Sequence, residues 1–247
     1  KVTEARTAAM NATTINDKIA AENQLSNAML NLKAVAEAYP DLKAANLYKD
    51  VMDGVQKYEE NVRMSRMIYN DTATKMNRMV RQLLSLNQIE AGQNMLDISR
   101  FDITELINGV VSAQEIELSK KKALVIVKQH DPVFVMGDEY RIEEVLTNYI
   151  SNAINHLAGK REIVIDTTTK DGNVRVSVSN TGKPIPEEEI DRIWEKFYKV
   201  DKARTREYGG HGIGLSIVKA IMDRHHGKCG AYNTDTGVVF WFELPFG

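Results

Sequence analysis

The stretch Glu207–Ile221, EYGGHGIGLSIVKAI, places four glycines directly before or at the start of an apolar helix pattern. Glycine at this density marks backbone that adopts unusual dihedral angles or lies close to a ligand. The first turn of a helix also carries unpaired N–H groups that favour an anion. The combination predicts a phosphate site, although a plain loop before a C-terminal helix has the same pattern.

The composition predicts a globular chain without a general affinity for nucleic acid. The 247 residues are 43% hydrophobic, which suffices for a core and one or two domains. A net charge of -2 with mixed signs gives no reason for nucleic acid or an acidic membrane as the main partner. The single cysteine excludes an internal disulfide and favours a reducing compartment. No apolar run has the length of a membrane span, so we expect a cytoplasmic, excised or processed fragment.

The sequence pattern of the first third of the chain predicts helix. Before Gly92 the only helix breakers are Pro40 and Gly54. Pro40 disfavours helix in the residue before it and predicts the end of a first helix. A second helical pattern covers about residues 44–91, and a helix of that length must pack against others to persist. We therefore expect an all-helical bundle, with the residues of this part serving a structural role.

After Gly92 strand and helix signals alternate. We predict helix over ITELINGVVSAQEIELSKK, strands at ALVIVKQ and VFVMGD, and a helix that Asp138 caps. Two hairpins are predicted, one turning at residues 171–173 and one at residues 235–237. Helices between antiparallel pairs favour an α/β sandwich with a mixed sheet and helices on one face, so the whole chain is of the α+β class.

Three polar segments follow one another in a fixed order. Asn148 and Asn152 lie four residues apart on one predicted helix face, a pattern that solvated or capping asparagines also show. The segment VSVSNTGKPIP ends a strand at Asn180, with Gly182 next, which an ordinary strand end also explains. The glycine-rich stretch is the third.

Together the three segments resemble the N, G1 and G2 boxes of the sensor histidine kinase ATP-binding domain, within the gyrase, Hsp90, kinase and MutL superfamily. IWEKFYKVDKAR resembles the F box and the start of the lid over the nucleotide, and MNRMVRQLLSLNQIEAG resembles the second helix of the dimerisation domain. The resemblance covers about residues 75–245. It implies binding of Mg-ATP, transfer of a phosphoryl group to a histidine, a response regulator receiver domain and a phosphoacceptor domain as partners, and a membrane-anchored parent kinase.

The resemblance assigns roles to residues at the matching positions. Asn152 would be the magnesium ligand, supported by Asn148, and Lys199 would contact the γ-phosphate; these three form the implied catalytic set. Asn180 stands where most members carry aspartate, and it keeps an acceptor for the adenine amino group but loses the charge. The implied nucleotide-binding residues are Asn148, Asn152, Asn155, His156, Asn180, Gly182, Ile185, Lys199, Arg204, Gly210, His211, Gly212, Ile213, Gly214 and Leu215.

Two departures from the family pattern concern the phosphates. Asn155 and His156 stand where many members carry lysine and an aromatic residue. The larger departure is that the acceptor motif HE-x-R-x-P does not occur, because the five histidines are followed by Asp131, Leu157, Gly212, His226 and Gly227. We therefore expect no autophosphorylation of this chain.

Where the acceptor helix belongs, the chain has VTEARTAAMNATTINDKIAAENQLSNAMLNLKAVAEAYPDLKA, and IYND follows at residues 68–71. Over about residues 2–74 this sequence resembles the LemA family, a helical bundle. We predict a LemA-like bundle at 1–74, a remnant of the dimerisation helix and linker at 75–95, and a catalytic ATP-binding domain at 96–247. A designed chimera explains the missing acceptor, and natural domain shuffling is the alternative. Two other functions stay open: an ATPase or serine kinase of the same superfamily, and a structural bundle with a kinase fold that binds no nucleotide.

Overall fold

The structure is a computed structural model that describes residues 4, 7–8, 15–39, 46–92, 95–200 and 212–247. It divides into two compact units, Lys1–Thr72 and Ala73–Gly247. Among the described helices, none is both long enough and apolar enough to cross a membrane. The three domain ranges set out above stay a prediction.

Almost all described residues of the unit Lys1–Thr72 are helical, as predicted. Helix α1 spans Ile15–Ala38 and ends two residues before the proline that was expected to stop it. Helix α2 spans Asn46–Glu90 as one continuous helix, so its C-terminal part belongs to the second unit. The helical pattern predicted over about residues 44–91 is confirmed for Asn46–Glu90.

The unit Ala73–Gly247 combines a five-stranded mixed sheet with a two-stranded one. The strands are β1 Ser99–Asp102, β2 Leu124–Val127, β3 Phe134–Gly137, β4 Glu162–Lys170, β5 Asn173–Thr181, β6 Lys228–Thr234 and β7 Gly237–Pro245. The large sheet has the order β2-β4-β5-β7-β6, in which β2 and β4 are parallel and the other pairs antiparallel. Strands β1 and β3 form a separate antiparallel pair.

Helices cover one face of the large sheet. Along β5 and the second half of β7, buried side chains therefore alternate with partly exposed ones. Tyr149 lies over Phe240 and Phe242, with ring centroids 5.4 and 6.2 Å apart, and its hydroxyl donates to the Trp241 carbonyl at 3.1 Å. Burial raises the pKa of Tyr149 well above its usual value. The remaining helices are α3 Ile103–Ala113, α4 Glu115–Lys121, α5 Glu139–Asn155 and α6 Gly214–Arg224, with short 3₁₀ turns at Glu187–Glu189 and Arg192–Trp194.

The structure adds three features to the predicted fold. The helical segment after residue 102 breaks at Gln114 into α3 and α4. Strand β1 was not predicted, because its sequence SRFD has no apolar alternation. Strand β6 forms an edge of the sheet and carries Cys229, whose half-buried thiol has its pKa raised to about 11 by burial.

Candidate functional site

Helix α5 carries Asn148 and Asn152, and a side-chain cap sets where this helix begins. The Asp138 carboxylate accepts a hydrogen bond from the Arg141 N–H at 3.1 Å, which confirms the predicted cap. Buried residues at helical spacing hold α5 against the sheet, while both asparagines stay half-exposed. The buried residues of α5 are Ile142, Val145, Leu146, Tyr149, Ile150, Ala153 and Ile154.

Asn148 lies against the start of helix α6. Its Nδ2 donates to the Glu144 carbonyl at 2.9 Å. A Cβ built on Gly214 would lie 2.6 Å from Asn148 Oδ1, so a larger residue at this position would displace the Asn148 amide. The first and third of the polar segments singled out in the sequence therefore meet in the structure.

The N-terminus of α6 lacks a side-chain cap in the described part of the chain. Its N-cap residue Ile213 is fully buried and makes no capping hydrogen bond, and Ser216 Oγ donates to the Ile213 carbonyl at 2.8 Å. Gly212 precedes it with a φ of +70°, and its carbonyl accepts from the Phe197 N–H at 2.8 Å. An anion is the natural partner for uncapped amides at a helix start.

Asn180 lies at the end of β5, on the face that the helices cover. Its side chain is buried, and its backbone pairs with Ile163 of β4 and Val238 of β7. Nδ2 donates to the Thr181 carbonyl at 3.3 Å. Within the described residues no donor reaches Oδ1, so this oxygen is available to accept a hydrogen bond from a ligand.

Gly182 joins the second polar segment to the end of α5. Its N–H donates to the Thr236 carbonyl at 2.9 Å. A Cβ at this position would overlap the His156 carbonyl oxygen. Glycine is therefore required here by the chain's own backbone, a reason that the sequence did not reveal.

The other predicted residues lie at the rim of this region. Asn155 is half-exposed in the last turn of α5, and His156 is the exposed residue that follows. Leu215 packs partly buried against the core. Lys199 is half-exposed and forms no hydrogen bond or ion pair with the described residues. The residues Arg204, Gly210 and His211 lie outside the described part of the chain.

Two residues of the β6–β7 turn support the site and were missed by sequence reasoning. Thr236 accepts from Gly182, and Gly237 lies so close to the Asn180 carbonyl that a Cβ there would overlap it. The turn itself was predicted at residues 235–237. Its contact with the end of β5 depends on β7 lying beside β5, which no local signal in the sequence gives.

Glu144 is not placed to act as a general base. Its carboxylate forms an ion pair with Arg141 at 3.1 Å and accepts from Ser85 Oγ at 3.4 Å. It lies two helical turns before Asn152 on α5. The carboxylate is therefore directed to α2, away from the position where a hydrolase or serine kinase would need it.

His225 connects the C-terminus of α6 to the cap of α5. Its Nε2 accepts from the Asp138 N–H at 3.0 Å, while its Nδ1 lies 2.9 Å from the Ile221 carbonyl and donates to it. Burial lowers the pKa of His225, against the opposing effects of the Ile221 carbonyl and the Asp138 charge. Protonation at Nε2 would break the bond to Asp138 N–H.

We expect the free energy of unfolding to decrease as the pH is lowered, because His225 becomes protonated. A pKa lowered by folding means that the stabilisation is complete above the unfolded value of about 6.5 and is lost as pH falls through the folded value. Urea unfolding at pH 7.5 and pH 5.5 should differ by about 1 kcal/mol from this group, the value of one hydrogen bond. In His225→Phe the difference should shrink, while exposed His130→Gln serves as control. An unchanged difference in His225→Phe would contradict the assignment.

Comparison with known proteins identifies the second unit. A family model described as "Histidine kinase-, DNA gyrase B-, and HSP90-like ATPase" matches residues 137–247. The catalytic domain of histidine kinase ThkA, in a nucleotide-free form, is 34% identical with a TM-score of 0.54, over 61% of this chain and 97% of that domain. The chain belongs to the histidine kinase-like ATPase family. The resemblance found in the sequence, including the mixed-sheet sandwich, is thereby confirmed.

Relatives of this ATPase family extend the comparison. The sensor-like histidine kinase SenX3 of Mycolicibacterium smegmatis is 27% identical over 168 residues, 68% of this chain and 44% of that protein. ThkA in complex with the response regulator protein TrrA is 32% identical with a TM-score of 0.55, over 70% of this chain and 49% of that chain. The chain thus spans less than half the length of the first curated relatives that it matches.

The LemA family model matches residues 1–106. This confirms the second resemblance, and the match reaches further than the expected residue 74. The same chain therefore matches both families, with their matched ranges separated by residues 107–136.

Proposed function

We propose that residues 96–247 bind Mg-ATP and transfer its γ-phosphoryl group to a histidine outside these 247 residues. The observation that carries the proposal is the contact of Asn148 on α5 with Gly214 at the uncapped start of α6. This contact joins a half-exposed amide pair to a helix terminus that suits phosphate. The family of the catalytic domain supports the same ligand.

Asn152 is the proposed magnesium ligand. In the described part of the chain its side-chain amide has no hydrogen-bond partner, so its carbonyl oxygen is available. Magnesium takes oxygen ligands and is commonly held by one or two protein groups together with substrate phosphates. No group of three or more His, Cys, Asp or Glu side chains among the described residues could hold a metal, which fits a site completed by the nucleotide. When bound, the ion would neutralise phosphate charge.

The base is proposed to lie at the end of β5. Asn180 Oδ1 is the acceptor for the adenine amino group, since its Nδ2 already donates to the Thr181 carbonyl. Ile185 provides the apolar contact to the purine. An oxygen at the amino position, as in guanine, would face Oδ1 as a second acceptor and be disfavoured.

The phosphates are proposed to extend from there towards α6. The segment Gly212–Leu215, which leads into this helix, would face them, and the ammonium group of Lys199 would approach the γ-phosphate. Further contacts would come from Asn155, His156, Arg204, Gly210 and His211. Catalysis in such a site is mainly positioning and charge neutralisation.

The proposed partners are a phosphoacceptor domain that carries the histidine and a response regulator receiver domain. The support is the solved complex of ThkA with the response regulator protein TrrA. Glu144 is held by Arg141 and Ser85, which disfavours the alternative of an ATPase or serine kinase. A parent kinase anchored in the membrane, with this chain on the cytoplasmic side, is part of the same proposal.

Calorimetric titration with ADP and a non-hydrolysable ATP analogue, with magnesium or with a chelator, tests the proposal. We expect binding of both, tightened by magnesium, and binding of GDP at least about tenfold weaker than ADP because of the mismatched acceptor. Absence of binding would support the remaining alternative, a kinase fold that holds no nucleotide.

A further inference from the structure

One side chain outside the recognised motifs holds the loop after Gly182. The Asn233 amide, at the end of β6, accepts from the Ile185 N–H through Oδ1 at 2.9 Å. Its Nδ2 donates to the Ile185 carbonyl at 2.6 Å. Both backbone polar groups of Ile185 are therefore bound by a single amide from a residue 48 positions later in the chain.

The two bonds fix Ile185 because of its neighbours. Pro184 and Pro186 have no N–H, so Ile185 provides the only main-chain donor of this three-residue segment. Pro186 also restricts the backbone of Ile185 to extended conformations. An amide plane bound to both the N–H and the carbonyl removes the remaining rotation of the segment. The backbone of Ile185 is thereby held in one position, and its side chain is partly buried against the core.

Asn233 shares a row of the sheet with the proposed base-binding residue. In the register of the strands, Asn233 pairs with Val238, and Val238 pairs with Asn180. The three residues therefore lie side by side on the face that the helices cover. The amide that fixes Ile185 and the amide proposed to bind adenine are separated by one buried valine.

We propose that Asn233 is a positioning residue for the purine base. It acts through Ile185, holding this side chain against the ring plane while Asn180 binds the ring edge. The inference rests on the proposed nucleotide binding and adds a residue that determines how the base is held. An apolar contact contributes more to affinity when its position does not have to be ordered on binding, so a fixed Ile185 favours a tight complex.

Titration of Asn233→Ala with ADP tests this, in magnesium and in a chelator. We expect affinity to fall about tenfold in both conditions, within the range for two lost hydrogen bonds, so that the enhancement by magnesium is unchanged. Asn173→Ala is the matched control, since Asn173 also donates from its amide to a backbone carbonyl, that of Asp171 at 3.2 Å, at the far end of β5. It should bind ADP as the original chain does.

Asn233→Asp provides a second variant that keeps the size and the acceptor but loses the donor to the Ile185 carbonyl. Its affinity for ADP should fall by the same factor in magnesium and in a chelator. Circular dichroism should show that each variant is folded at the titration temperature. Unchanged ADP affinity in either folded variant, or a loss seen only with magnesium, would overturn the positioning role. Failure of the original chain to bind ADP would instead overturn the proposed function, and the inference with it.

Discussion

Asn152→Ala is expected to remove the magnesium-dependent part of nucleotide binding. Asn152 is half-exposed on α5, one turn beyond Asn148, and its side-chain amide is unpartnered within the described residues. Losing a metal ligand should lower the nucleotide affinity in magnesium on the order of 100-fold. Loss of a residue that only supports a metal ligand already costs about 10- to 100-fold. Binding of ADP in a chelator should stay the same, because the proposed base contacts at Asn180 and Ile185 are untouched.

The measurement is a pair of titrations, each with magnesium and with a chelator. Asn108→Ala is the matched control, since Asn108 is an exposed asparagine on helix α3. It should leave both affinities as they are. If Asn152→Ala still binds more tightly with magnesium than without, the ion is held by other groups and the ligand assignment is wrong.

Incubation with radiolabelled Mg-ATP is expected to leave the chain without phosphohistidine. Phosphoryl transfer requires a nucleophile held in line and close to the γ-phosphate. The chain has five histidines, and none begins the acceptor motif HE-x-R-x-P. The first histidine is His130, so the chain up to Gln129, which includes its long helices, offers no imidazole.

Of the later histidines, His225 is bound at both ring nitrogens in the structure, so its imidazole is not a free nucleophile. An added dimerisation domain that carries the acceptor motif should become slowly labelled in trans, and Asn152→Ala should abolish that labelling. Acid-labile phosphate on the 247-residue chain alone would show that an acceptor had been overlooked.

Local chemistry allowed much of the fold to be predicted. Asp138 before a long amphipathic segment predicted the start of α5, and turn residues at 171–173 and 235–237 predicted both hairpins. The separation of Asn148 and Asn152 by one helical turn followed from the same helix. These features depend on residues within a few positions of one another.

Contacts between distant segments could not be predicted in this way. The bonds of Asn233 to Ile185 and the approach of Gly237 to Asn180 exist only because β5, β7 and β6 are neighbours in the sheet. Periodicity reveals strands but not their order. Strand β1 was not predicted for a different reason, because four residues of mixed polarity carry no periodic pattern.

Cys229 makes edge strand β6 a reporter of its own opening. It is the only thiol of the chain, is half-buried opposite Phe242, and is protonated at neutral pH because burial raises its pKa to about 11. Alkylation needs an exposed thiolate, so detachment of this strand from the sheet should raise the labelling rate. Asn233 lies near the other end of the same strand. The alkylation rate of Cys229 would therefore also report on the stability of the strand that holds the proposed base site.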